Sequence, residues 1–332
     1  MLGGLWAAFC EKIDEIHSRP KKVGGIFMKY IPYGPSKTPV SVVGGGCMRI
    51  ADMDTAAADA YVKTALDAGI NFFDHADIYG GGKSEEVFGK LFATEPSLRE
   101  KMFLQSKCAI RSGFFDFSKE YILESVDGIL KRLNTDHLDA LLLHRPDALM
   151  EPEEVQEAFD ALYQAGKVRN FGVSNMNPMQ MQLLKTGVSF PLCANQVQMS
   201  LAHTPMLDAG FSTNLHWDAG INRDGGILEY CRIQDMIVQT WSPLQYGYFE
   251  GTFLGSDKYP ELNKELQAQA EKYGVGTDTM AFAWLLRYPA KMQVITGTTT
   301  PARIQSAAKA AEVNLSREDW YALYRAAGNV LP

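Results

Sequence analysis

From Val40 onward two hydrophobic patterns alternate along the chain. A short apolar or β-branched run is followed by a polar turn, and then by a longer stretch whose apolar positions lie three and four apart. The first pattern is that of a buried strand and the second that of an amphipathic helix. Strands are expected at 40–43, 71–74, 102–107, 140–143, 170–173, 194–197, 236–240 and 293–296. Helices are expected at 55–68, 84–91, 118–132, 152–165, 178–184, 225–232, 263–272, 279–287 and 301–310. Ser118, Asn177 and Thr300 each place a capping oxygen just ahead of a helical run. Eight βα units predict a closed (β/α)₈ barrel. The segments 200–224 and 242–262 exceed simple connections, are rich in Gly and aromatic residues, and are expected to cover the barrel mouth.

Composition narrows the setting. With 332 residues, 46% of them hydrophobic and 21% charged, the chain can bury a large core. A net charge of -7 and the lack of a basic stripe argue against a nucleic-acid partner. No apolar run approaches the roughly 18 residues that cross a bilayer. The five cysteines (Cys10, Cys47, Cys108, Cys193, Cys231) form no C-x-x-C pair, which fits a reducing cytoplasm better than a disulfide framework or a structural zinc site. Residues 1–27 differ in character from the rest of the chain, and Met28 reads as the natural start of a single domain spanning 28–332; intact-mass measurement of the natively expressed protein tests this.

In such barrels chemistry gathers where the strands end and the βα loops converge. Asp74 ends the second expected strand, Lys107 the third, and His144 follows the fourth, while Tyr79 lies five residues past Asp74. A phenol ordinarily ionises near pH 10, and a neighbouring ammonium lowers that value. Lys107 can supply the ammonium, Asp74 can pair with it, and His144 can hydrogen-bond a substrate oxygen or the phenol. Any one of these residues alone would read as structural. Their placement at consecutive strand ends favours catalysis. His75, on the opposite face from Asp74, is expected to pack beneath the loop.

Phe73-Asp74-His75-Ala76-Asp77-Ile78-Tyr79-Gly80, Gln105-Ser106-Lys107 and Leu142-Leu143-His144 resemble the Asp/Tyr, Lys and His segments of the aldo-keto reductase superfamily, from about Met28 to the end of the chain. The run Gly80-Gly81-Gly82-Lys83-Ser84 places it near a bacterial branch of predicted oxidoreductases. The resemblance implies a (β/α)₈ TIM barrel with an N-terminal β-hairpin closing its bottom, and NADPH-dependent reduction of aldehydes or ketones with Tyr79 as general acid. It implies that Ser174, Asn175 and Gln196 bind the nicotinamide carboxamide. Trp241, leading Ser242, Pro243 and Leu244, would stack on its ring, and Gly297, Thr298, Thr299 and Arg303 would hold the 2′-phosphate. Relatives often carry lysine at the position of Gly297 or Thr300, so NADH is expected to compete.

Two glycine runs point elsewhere only superficially. Gly44-Gly45-Gly46 lacks the third glycine of a dinucleotide fingerprint, having Arg49 there, and Gly82-Lys83-Ser84 has Asp77 where a P-loop needs glycine. The aromatics Tyr246, Tyr248, Phe249, Phe253 and Tyr259 divide evenly between pocket lining and plain packing. Two other classes compete with the reductase: an NADPH-binding regulatory subunit with little turnover, and a metal-dependent hydrolase barrel, for which only His144 is well placed as a ligand.

Overall fold

The computed structural model describes residues 18–23 and 25–332. Eight parallel strands close into a barrel in chain order: Val43–Gly46, Phe72–Asp74, Phe103–Cys108, Ala140–Leu143, Phe171–Ser174, Leu192–Gln198, Ile237–Trp241 and Lys291–Thr296. The last returns to the first through the pairs Val294 with Val43 and Thr296 with Gly45. Helices between the strands cover the barrel. Two more helices, Pro205–Phe211 inside the loop after the sixth strand and Arg317–Ala326 at the carboxyl end, lie outside the expected set.

The first strand is displaced from its expected place. The run at 40–43 straddles two elements: Thr38–Ser41 ends an antiparallel sheet, and the barrel strand begins at Val43. Three of that barrel strand's four residues are glycine, so it carries almost no hydrophobic signal. The glycines answer to packing, because a Cβ on Gly44 would lie 2.9 Å from both Phe72 and Ile295 side chains.

The barrel bottom is closed by three antiparallel strands, Ser18–Val23, Ile26–Tyr33 and Thr38–Ser41, rather than by a two-stranded hairpin alone. This sheet begins ahead of Met28, and the Met28 side chain is fully buried. Residues 1–17, including Cys10, lie outside the described residues. Tyr33 closes the bottom of the barrel, its ring packed against Phe72 and Phe103 at the start of the second and third strands.

Expected caps form at Ser118, which accepts from the Tyr121 N–H, and at Asn177, whose side chain and that of Gln180 make a reciprocal capping box. The helix Pro301–Lys309 has no side-chain cap, in contrast to the expectation for Thr300. Thr300 offers only its backbone there, leaving first-turn N–H groups unclaimed by a side chain.

Candidate active site

Strand ends bring Asp74, Lys107, Tyr79 and His144 together at the mouth. Lys107 is wholly buried and spends all three of its N–H bonds: on Asp74 Oδ2 at 2.7 Å, on the His75 carbonyl at 2.7 Å and on the Tyr79 hydroxyl oxygen at 3.1 Å. The Asp74 Oδ1 accepts from Gln105 at 2.7 Å and from Gln196 at 3.1 Å. A buried ion pair forfeits hydration, and these extra bonds are what compensate it. Tyr79 and His144 meet edge to face, with ring centroids 6.0 Å apart. Lys107 donates to the phenol oxygen, and the phenol's own proton has no acceptor among the described residues.

Burial raises the Tyr79 pKa above its ordinary value of 10.0, and the Asp74 charge adds to the rise while Lys107 pulls against it. The expectation of a net lowered phenol is thus corrected: at this depth desolvation of the phenolate outweighs the ammonium. Burial also disfavours the Lys107 ammonium, yet Asp74 and Tyr79 hold its pKa above 10.5. His144 is pushed well below 6.5, by burial first and then by Lys107 and Arg145. A neutral imidazole, with Nδ1 buried and unpartnered, faces the phenol.

The remaining candidate residues lie at or beyond the carboxyl ends of the fifth to eighth strands. Ser174 Oγ donates to the Gln196 carbonyl at 2.8 Å, and Asn175 Nδ2 donates to Ser174 Oγ at 2.8 Å. Asn175 holds a positive φ of 56°. Gln196 spends both amide hydrogens inside the barrel, on Asp74 and Gln239, leaving its Oε1 without a partner among the described residues. Trp241 ends the seventh strand and donates from its indole to Asn175 Oδ1 at 3.1 Å. Past it, Ser242 turns the chain at φ 50°, Pro243 is buried, and the Leu244 carbonyl anchors a small hairpin through Thr252. Gly297, Thr298 and Thr299 follow the eighth strand, and Arg303 is exposed in the first turn of the next helix, its guanidinium unpaired among the described residues.

His75 packs edge to face on Phe88, as expected, and takes no part in the mouth through its ring. The loop aromatics divide. Phe249 stacks on Trp241 and Tyr248 meets it edge on, whereas Phe253 is core and Tyr246 packs on Tyr259. Two contributors escaped sequence reasoning. Arg145 lies 5.8 Å over the Trp241 ring without an ion pair among the described residues; its signal was adjacency to His144. Gln105 touches Asp74; its signal was the period of two that puts it on Lys107's face of the strand.

Known proteins share this arrangement of chain. The aldo/keto reductase family model matches residues 42–327. Oxidoreductase YdhF of Escherichia coli is 35% identical over 293 residues, covering 85% of this chain and 92% of the relative. A 6-dehydroglucose reductase of Agrobacterium fabrum is 36% identical, covering 82% and 89%. Among solved structures, a thermostable aldo-keto reductase, Tm1743, in complex with epalrestat superposes with TM-score 0.70 at 25% identity, covering 90% of this chain and 99% of its own. An aldo/keto reductase from Klebsiella pneumoniae in complex with NADP and acetate gives 0.70 at 24% identity, covering 89% and 94%.

Proposed function

The chain belongs to the aldo/keto reductase family, and we propose that it reduces aldehydes or ketones to alcohols with NADPH, Tyr79 being the proton donor. The observation that carries this reading is the Tyr79 hydroxyl, whose oxygen is held by Lys107 while its proton is uncommitted beside the neutral ring of His144. A substrate carbonyl oxygen placed between those two groups would accept hydrogen bonds from both. The reduced nicotinamide supplies the hydride. Tyr79 then gives its proton to the alkoxide as charge builds on oxygen, and Lys107, anchored by Asp74, stabilises the phenolate left behind. His144 holds the oxygen in place.

The residues fit the cofactor. The unpartnered Gln196 Oε1, with Ser174 and Asn175, suits a carboxamide, and Trp241 would stack on the nicotinamide with whatever ring face Phe249 and Arg145 leave it, Ser242, Pro243 and Leu244 setting its loop. Gly297, Thr298 and Thr299 lead into a helix start without a side-chain cap, where Arg303 is unpaired; backbone N–H groups and one guanidinium suit a 2′-phosphate. With a single cation there, NADH is expected to bind as well. Membership of this family leaves the metal-dependent hydrolase reading without support.

The test is tryptophan-fluorescence titration with NADPH and with NADH, followed by reduced-cofactor consumption against aldehydes and ketones. 6-Dehydroglucose, the compound in the Agrobacterium relative's name, belongs in that panel. Saturable quenching with turnover is the expected result. Tight binding with no turnover across the panel would make the protein a cofactor-binding regulatory subunit, and no binding of either cofactor would overturn the reading.

A further inference from the structure

We propose that Gln105 is a positioning residue of the site, the head of a buried glutamine ladder that holds Asp74 between two amide donors and so keeps the charge of Lys107 directed at Tyr79. This rests on the reading of Tyr79 as proton donor.

The interior layers of such barrels are ordinarily filled by branched apolar side chains. Here four strands place a glutamine inside instead. Register sets them side by side: Asp74 pairs with Gln105, Gln196 with Gln239, and Gln239 with Gln293. Gln105, Gln239 and Gln293 are fully buried and Gln196 nearly so.

A carboxylate only accepts hydrogen bonds, so Gln105 and Gln196 must both turn their amide N–H toward Asp74 Oδ1, at 2.7 and 3.1 Å. Their second N–H bonds go to Gln239 Oε1, at 2.9 and 3.0 Å. Gln239 in turn donates to Gln105 Oε1 at 3.1 Å and to Gln293 Oε1 at 2.9 Å, and Gln293 to the Ser41 carbonyl at 2.7 Å. The Tyr33 hydroxyl, from the sheet at the barrel bottom, donates to Gln105 Oε1 at 3.1 Å. Flipping any one amide would set donor against donor or oxygen against carboxylate. The ladder therefore has one orientation, dictated by the Asp74 carboxylate at one end, where Tyr33 also fixes the Gln105 oxygen, and anchored by the Ser41 carbonyl at the other. Four buried amides without this closure would be costly, and a satisfied network of this kind specifies geometry.

The consequence falls on Tyr79. The titratable groups around it are Lys107 and Asp74 at strand ends, Cys47 after the first strand, and His144 after the fourth. Burial keeps the Cys47 thiol and the His144 ring neutral. Burial raises the phenol's proton affinity, and the balance between Lys107 and Asp74 then adjusts it. Each amide that donates to Asp74 Oδ1 draws off part of the carboxylate's charge, leaving more of the ammonium's field uncancelled at the phenol.

The experiment is spectrophotometric titration of Tyr79, read as the tyrosinate absorbance lost on adding Tyr79→Phe to each background, for the wild type, Gln105→Leu and Gln105→Glu. Thermal midpoints and the pH profiles of kcat/KM for carbonyl reduction and alcohol oxidation are measured alongside. In Gln105→Leu the Tyr79 ionisation is expected to move up by roughly half to one unit. Alcohol oxidation at neutral pH, which needs the phenolate, should fall about three- to tenfold by the same shift. Gln105→Glu, which keeps the shape but puts a second acid beside Asp74, should move it further in the same direction. Should Gln105→Leu fail to fold, Tyr33→Phe removes only the hydroxyl that donates to Gln105 Oε1, leaving both amide donors on Asp74, and should give a smaller upward shift. A Tyr79 titration unmoved in the folded variants, with only the thermal midpoint lowered, would reduce Gln105 to a core residue and overturn the inference. The titration needs no turnover, so an inactive wild type would count against the proposed function alone.

Discussion

At the scale of single residues, the site works by occupying some atoms and leaving others free. Lys107 has no spare N–H bond, Asp74 accepts three hydrogen bonds, and what remains unclaimed is the Tyr79 proton. Tyr79→Phe keeps the ring and its contact with His144 while removing the proton, so turnover should fall by about 10²- to 10⁴-fold. NADPH affinity by fluorescence quenching should hardly change, because the lost group acts on charge present only in the transition state. An equal loss of cofactor affinity would place Tyr79 in the cofactor site instead. Asp74, Tyr79, Lys107 and His144 were legible because they stand together at or just past consecutive strand ends, where each alone would read as structural. Gln105 was not, because one polar side chain inside an apolar strand is ambiguous until the opposing strands are known. The direction of the Tyr79 shift was also hidden, since depth of burial is a property of the closed mouth and not of the spacing.

At the scale of elements, the strands that carried side chains could be read and the one made of glycine could not. The barrel strand Val43–Gly46 was displaced by the apolar run beside it, while Ala140–Leu143, an alanine and three leucines, fell where expected. The helix Arg317–Ala326 had its signals, with Ser316 capping Asp319 and Trp320, Leu323 and Tyr324 along one buried face. It lay beyond the eighth βα unit, where the repeat gave no reason to continue. Glycine decides a contact between helices as well. Gly89, in the helix Lys83–Thr94, faces the end of the helix Lys119–Leu133, and a Cβ there would sit 2.1 Å from the Arg132 carbonyl oxygen. That neighbour is backbone and cannot rotate away. Gly89→Ala should therefore force the two helices apart and cost about 1 to 3 kcal/mol despite alanine's better helix propensity. Thermal or denaturant unfolding measures this, and a variant as stable as the wild type would show that the helices separate freely.

At the scale of the whole molecule, two buried groups near this helix pair set opposite pH dependences of folding. His75 has no hydrogen-bond partner for either ring nitrogen, and burial, with Lys107 nearby, pushes its pKa from 6.5 to about 3. Between those values the unfolded chain binds the proton and the folded one does not, so stability falls as pH drops below 6.5. At about 1.4 kcal/mol per unit the loss is on the order of 5 kcal/mol. Glu85, bonded to Ser106 and Arg132 at 2.7 and 2.8 Å, is raised by burial from 4.5 to about 6. Here the folded state holds the proton more tightly, so stability falls as pH rises from 4.5 through 6, by about 2 kcal/mol. Between pH 4.5 and 6 the two slopes cancel, and below 4.5 only the histidine remains. The wild type should thus show little change from these groups across that interval and then a steep acid loss. In Glu85→Gln the flat interval should give way to a continuous decline from about pH 6.5 downward. His75→Leu should remove most of the acid loss and, by eliminating two unsatisfied nitrogens, match or exceed wild-type stability at pH 7. Chemical denaturation of the three proteins at half-unit intervals resolves the two contributions. Parallel curves for wild type and Glu85→Gln would mean that Arg132 and Ser106 hold Glu85 ionised throughout, and that the acid limb belongs to the histidine alone.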